Sequence, residues 1–331
     1  MNALLLLLLP SLAAAGPPPS PASAPASPGA PASAADSSPA PLTPEEKKRS
    51  EQDRDALARA LERLLIEQGG LLLKPGSIEI APGAAYAYTA SDDTLVLEGA
   101  TVGTRMRQHL VQGTLTLRLG IVHRLQLEVS SSFRAATQST ILAGSVSLPA
   151  SSSGLGDTQA TLTYQLRQAR QGPDVLVAAL YRAPTGSSPF DTGARDVSLG
   201  SGAHGLGGSL SLVTVMDPLV LLATGSVLYG FPADTPNGRV KVGMEYGATL
   251  GVLLAVSPAT SLSFMTDARY HSALRRDGTS VLATDQMAVS LNLGLAIVLN
   301  SRLFLDITPS FGLTPDAPAF SLSIAVPFKV R

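Results

Sequence analysis

The chain has 331 residues, 45% hydrophobic and 5% aromatic, with 30 Gly, 25 Pro and neither Cys nor Trp. Its 24 Lys and Arg nearly balance 25 Asp and Glu, so no electrostatic argument points to nucleic acid or to an acidic partner. Absence of Cys removes disulfide frameworks, thiolate nucleophiles and thiolate metal sites together.

The chain opens with an apolar run from Leu4 to Leu9, a turn at Pro10-Ser11 and the small residues Ala13 to Gly16. This pattern predicts a signal peptide over residues 1–15, the alternative being a short buried helix. No other stretch reaches the ~18 consecutive apolar residues that a spanning helix needs, so any membrane crossing must be made by strands. Residues 16–42 are nearly all Pro, Ala, Ser and Gly, with nine prolines between Pro17 and Pro41. Such a segment cannot bury a core and is expected to be a disordered linker.

Residues 43–76 form the next unit. Thr43-Pro44-Glu45-Glu46 has the pattern of a helix start, with a capping Thr, Pro at the first helical position and acids near the N-terminus. Leu57, Leu61, Leu64 and Leu65 recur at helical spacing before Gly69-Gly70, which predicts one helix over residues 44–68, on the periplasmic side of an outer membrane. Ser50 and Arg54 interrupt the stripe, so a long coiled coil is not indicated. A short seam, a plug for the following domain, or contact with a periplasmic partner remains open.

From residue 77 to 331 the periodicity changes to two. Leu115, Leu117 and Leu119 alternate with Thr114, Thr116 and Arg118, and Leu262, Phe264 and Tyr270 alternate with Ser263, Asp267 and Arg269. Twelve strands are predicted, near 77–90, 107–119, 125–134, 157–167, 174–183, 206–216, 219–229, 243–256, 261–271, 284–299, 302–312 and 319–329. Every second connection is short, and the others are mostly longer and rich in Gly, Ser, Thr and Asp. That rhythm fits an all-β, antiparallel up-and-down transmembrane β-barrel with short periplasmic turns and longer outer loops. An even count also places both chain ends on one side. A soluble sandwich would alternate as well, but its strands run nearer five or six residues, whereas these reach the ~10 that a tilted bilayer-crossing strand requires. Tyr86, Tyr88, Tyr164, Tyr181, Tyr229, Tyr246 and Tyr270 are candidates for thin aromatic girdles.

The run Gly69 to Pro82, followed by Tyr86-Ala87-Tyr88, resembles the lead-in to the barrel of a family of outer-membrane β-barrel porins labelled "putative meta-pathway of phenol degradation". Further resemblances are Leu119 to Glu128, Ser153-Gly154-Leu155-Gly156-Asp157, Ala183-Pro184-Thr185-Gly186 with Pro189-Phe190-Asp191, and Leu313 to Pro318. In order and spacing they cover residues 69–331. The resemblance implies an outer-membrane channel or transport protein, with hydrophobic or aromatic compounds among its candidate solutes. The last strand, with Phe320, Leu322, Ile324, Val326 and Phe328, looks like a signal for the barrel-assembly machinery, although Lys329-Val330-Arg331 follows where the family tends to end in an aromatic residue.

Enzyme chemistry finds little support. Gly200-Ser201-Gly202-Ala203-His204-Gly205 matches G-x-G-x-x-G but precedes a predicted strand rather than a helix. His109, His123, His204 and His271 are scattered without metal-ligand spacing, so no cofactor or metal is expected. No G-x-S-x-G elbow or identifiable acid pair points to a barrel-embedded hydrolase. The charges Arg118, Glu128, Arg134, Arg182, Glu245, Asp267, Arg269 and Asp306 fall on the polar face of their strands, where a barrel would turn them into its lumen. There they would form either a constriction that selects solutes or a salt-bridge network that fills the interior. The function read from the sequence is passive passage of small solutes through a polar charged lumen across the cell outer membrane. Its rival is a non-conducting scaffold whose N-terminal linker and helix hold a periplasmic or cell-wall partner.

Overall fold

The computed structural model describes residues 72–330, apart from short breaks at 98–99, 143–145, 169–171, 191–195, 217–218, 236–237, 258, 282–283 and 301. The expected signal peptide, linker and helix lie outside the described residues. Those residues contain strands and no helix. In chain order the strands are β1 (Ile78–Leu97), β2 (Ala100–Val122), β3 (Leu125–Leu142), β4 (Val146–Leu155), β5 (Thr158–Arg167) and β6 (Asp174–Ala183). There follow β7 (Gly205–Met216), β8 (Leu219–Gly230), β9 (Pro232–Thr235), β10 (Gly238–Lys241), β11 (Glu245–Ser257) and β12 (Thr260–His271). The last six are β13 (Arg275–Arg276), β14 (Thr279–Ser280), β15 (Gln286–Val298), β16 (Phe304–Gly312), β17 (Phe320–Ala325) and β18 (Phe328–Lys329).

Fourteen of these make one sheet, antiparallel throughout, in which β17 pairs with β1 from Gly83↔Ala325 to Tyr88↔Phe320. The sheet is therefore a closed barrel, with no unpaired edge to expose backbone groups to lipid. β4 and β5 pair with successive stretches of β3, and β17 and β18 with successive stretches of β1. Each of these pairs is a single stave, so the wall has twelve staves. β9, β10, β13 and β14 form a separate small sheet above one rim.

The first four staves run past their expected limits, the third ending at Leu142 rather than at 134. The first hairpin was expected to break off at residues 90 and 107, but its ladder runs unbroken from Ile78↔Leu119 to Leu97↔Ala100. In sequence Ser91-Asp92-Asp93-Thr94 and Gly103-Thr104-Arg105 carry no apolar alternation, so the signal fades there while backbone pairing continues. The fourth stave, expected at 157–167, begins at Val146 and contains a one-residue bulge. Leu155 pairs with Phe133 and Gly156 N donates to Ser132 O (2.8 Å), yet Gln159 already pairs with Ser130. The last stave is interrupted at Pro327, which has no N–H to give. Its register survives the gap, because Val326 N donates to Pro82 O (2.9 Å) and Ile80 faces Phe328.

Paired residues share a face, so the registers assign every stave position to the inside or the outside. Outward positions include Leu115, Leu210, Leu250 and Phe264, and Leu250 is 65% exposed at mid-strand. Exposed aliphatics around a closed wall are the surface of a protein whose solvent is hydrocarbon. Tyr86, Tyr88, Tyr181, Tyr229, Tyr246 and Tyr270 also point outward, near the end that carries the long loops. Tyr246 stacks on Tyr270 at 6.3 Å. Tyr164 alone of the seven tyrosines sits outward near the short-turn end, so the aromatic girdle is one-sided.

Aliphatic packing is found inside the barrel as well. Leu176, Val213, Val220, Leu222, Leu253, Ala255 and Met265 form a buried cluster on inward positions of β6, β7, β8, β11 and β12, in the half near the short turns, and Leu72 packs against it. The short-turn half of the lumen therefore has a dry side.

Candidate functional site

The chain enters the barrel through its short-turn end. Gly76 adopts φ +75° and donates its N–H to Gly120 O (2.7 Å), and Gly120 N donates to Ser77 O (3.0 Å). A Cβ on Gly120 would lie 2.2 Å from Lys74 O, so only glycine allows this approach. The fold carries the preceding residues inward. Leu73 is buried and gives its N–H to Gln126 Oε1 (2.9 Å).

Beside that segment stand three charges from adjacent staves. Arg118 Nη1 donates to Glu79 Oε1 and Arg118 Nε to Glu128 Oε2, both at 2.8 Å. The Glu79 side chain is wholly buried, that of Arg118 is 11% exposed and that of Glu128 33%. Glu79 escaped notice in the sequence because, at the start of the first strand, a lone acid reads as a solvated terminus.

A cavity of about 350 Å³ lies above this group. Its lining mixes the apolar Leu72, Leu176, Leu222 and Met265 with Arg118, Glu128, Thr161, Thr163, Ser211 and Thr224, and Leu176 is the ladder partner of Ser211. A second cavity of about 220 Å³ lies toward the long-loop end and is lined by Arg182, Glu245 and Arg269. Thr161, Ser209, Thr249 and Asp267 border both. Asp267 is held in place by Thr249 Oγ1 and Asn292 Nδ2. Arg182 Nη2 donates to Glu245 Oε2 (3.0 Å), while Arg269 is exposed to the interior. Asp306 occupies an inward position between Ala296 and Ala325. The structure thus brings Arg118 to Glu128 and Arg182 to Glu245, and places Asp267 and Arg269 around the same cavity as the second pair.

Arg134 belongs to a third grouping, at the long-loop end. The connection between β6 and β7 folds into the mouth, where Val197 and Leu199 are buried with Ala136 against Leu110 and Ala150, all three inward residues of the tall wall. Arg134 Nη1 donates to Leu199 O (3.0 Å). Asp157, set by the bulge, accepts Gly186 N on Oδ1 (3.2 Å) and Ser201 N on Oδ2 (2.7 Å), which staples both ends of the loop to the wall. Thr185 Oγ1 donates to Gly156 O (2.8 Å). Gly186 and Gly200 touch through their backbones, and a Cβ on Gly186 would lie 2.9 Å from Gly200 Cα.

Sequence reasoning did not assign Asp157 to any site, although it lies in one of the motifs that carry the family resemblance. Three motifs far apart in the chain, at 153–157, 183–186 and 200–205, meet here. The G-x-G-x-x-G match is explained by this packing, with Gly202 at φ +70°. Among the histidines, His109 Nδ1 and His204 Nδ1 bond to Tyr86 and Tyr181 hydroxyls at 2.8 Å, and His271 borders a small cavity under the loop. The described residues hold no cluster of three His, Asp or Glu suited to a metal ion. The motif at 313–318 caps the top of β15, where Asp316 Oδ2 accepts Met287 N (2.7 Å) and Thr314 Oγ1 accepts Val289 N (2.9 Å). Phe320, Leu322, Ile324, Val326 and Phe328 keep one register and form an outward row.

Solved structures share this architecture. An outer membrane channel from Pseudomonas putida F1 superposes with a TM-score of 0.60 at 18% identity, covering 78% of this chain and 96% of that one. The translocator domain of the autotransporter NalP from Neisseria meningitidis gives a TM-score of 0.43 at 12% identity, covering 83% of this chain and 96% of that one. The NanC porin gives 0.45 at 10% identity, covering 76% and 100%. The first likeness is one of fold, and the two weaker ones carry no argument. Residues 81–328 match the family model described as "Putative MetA-pathway of phenol degradation", and the chain belongs to that family.

Proposed function

We propose that this protein is an outer-membrane channel for the passive passage of small solutes, with its short-turn end in the periplasm and its long loops outside. The observation that carries this reading is the pair of cavities, about 350 and 220 Å³, that share lining residues along the lumen. Their lining supports a solute class. A wall that mixes Leu176, Leu222 and Met265 with Thr, Ser and charged groups suits a small molecule with an apolar body and a polar group. The family description, which names phenol degradation, agrees with an aromatic solute of that kind.

In this reading Arg118, Glu128, Arg134, Arg182, Glu245, Asp267, Arg269 and Asp306 line the path. Arg118 offsets one of its two carboxylates, Glu79 and Glu128, and Arg182 offsets Glu245, which limits the unpaired charge that would hold water against a neutral solute. The outward row from Phe320 to Phe328 serves recognition by the barrel-assembly machinery. Purified protein in planar bilayers is expected to give discrete conductance steps. Liposome swelling is expected to be faster with a small phenolic solute than with a sugar of equal size. A silent barrel with no solute uptake would overturn the proposal.

A further inference from the structure

We propose that the outer face of β10 and β13 is a docking surface for a phosphorylated lipid headgroup in the leaflet around the long-loop end. In the small sheet Lys241 lies directly opposite Arg275, and Val240 opposite Arg276. Val240 is fully buried, so its face turns toward the protein and the Lys241–Arg275 face turns away. The direction of that second face is fixed by Lys241, whose Nζ lies 4.8 Å above the ring of Tyr229. Tyr229 belongs to the outward row of β8 and meets the exposed Phe231 edge-on at 5.4 Å. The two cations therefore sit immediately above the aromatic girdle, at the level where headgroups surround a barrel.

Like charges directly across a ladder destabilise it, so the pair calls for a counter-charge. The nearby acids lie against Arg239. Asp234 faces Arg239 at 3.8 Å, and Asp277 Oδ1 accepts Arg239 N (2.9 Å). Among the described residues neither Lys241 nor Arg275 has an acidic partner. An anion supplied from the membrane answers both the charge and the position, and lipid phosphate is the anion present at that depth.

This inference rests on the wall being membrane-spanning, and its readout is lipid binding, which is separate from conductance. The test is native mass spectrometry of the full chain in neutral detergent, titrated with diphosphoryl lipid A or with its dephosphorylated form. Wild type is expected to retain the phosphorylated lipid. The Lys241→Gln/Arg275→Gln variant is expected to bind it about thirtyfold more weakly, at about fivefold per basic residue. Lys241→Arg is expected to keep wild-type binding, and both variants should keep the heat-modifiable gel mobility of a folded barrel. Equal retention of the two lipids, or undiminished binding by the folded double variant, would overturn the proposal.

Discussion

Replacing Arg118 with Met tests the charged group at the short-turn end. The guanidinium satisfies two carboxylates at 2.8 Å each, and one of them, Glu79, has no exposed side-chain surface. Met conserves much of the packing volume but strips Glu79 and Glu128 of their shared cation. Removing one partner of a buried ion pair costs about 3–5 kcal/mol, because the remaining charge stays in a poorly solvating site. The Glu128 contribution is small by comparison, since that side chain is a third exposed. Arg118→Met should therefore lower the unfolding free energy by about 3–5 kcal/mol. Adding Glu79→Gln, which removes the charge that Arg118 no longer offsets, should return more than half of the loss. The chain has no Trp, so unfolding in urea with lipid vesicles is best followed by far-ultraviolet circular dichroism and gel mobility. A single variant within 1 kcal/mol of wild type, or a double variant no better than the single, would refute the reasoning.

Asp157→Ala removes two charge-assisted hydrogen bonds to the loop ends, worth about 3 kcal/mol together, and is expected to raise single-channel conductance in planar bilayers; unchanged conductance would dismiss the stapling role. Leu250→Arg, on the exposed lipid-facing row, should cost about 2–4 kcal/mol in vesicle unfolding. Ser290→Arg, on the inward row opposite Asp267, should leave stability nearly unchanged and shift ion selectivity toward anions, read as a reversal potential across a salt gradient. Gly120→Val drives a side chain into Lys74 O, so hydrogen exchange at the Leu73 and Gly76 amides should accelerate while the rest of the barrel stays protected.

Much of the wall was legible along the chain. Segments such as Leu125 to Phe133 or Met287 to Ile297 place aliphatics at every second position because one face meets lipid and the other does not, and a local repeat of two records this directly. Staves deep in the belt, such as 174–183, kept their expected limits, whereas β1 to β4 outgrew theirs where apolar residues no longer alternate along the sequence. The bulge at Gly156-Asp157 was not legible, because one extra residue inverts the facing of everything beyond it and leaves no mark in composition.

By itself the sequence determined the class of fold and the approximate number of staves, since both follow from local alternation and the spacing of turns. Only the tertiary structure decided the partners. Glu79 meets Arg118 across 39 positions of chain, Arg182 meets Glu245 across 63, and Asp157 gathers Gly186 and Ser201. Those meetings depend on register between staves and on closure of the ring, and register is a property of pairs of strands that no single strand encodes.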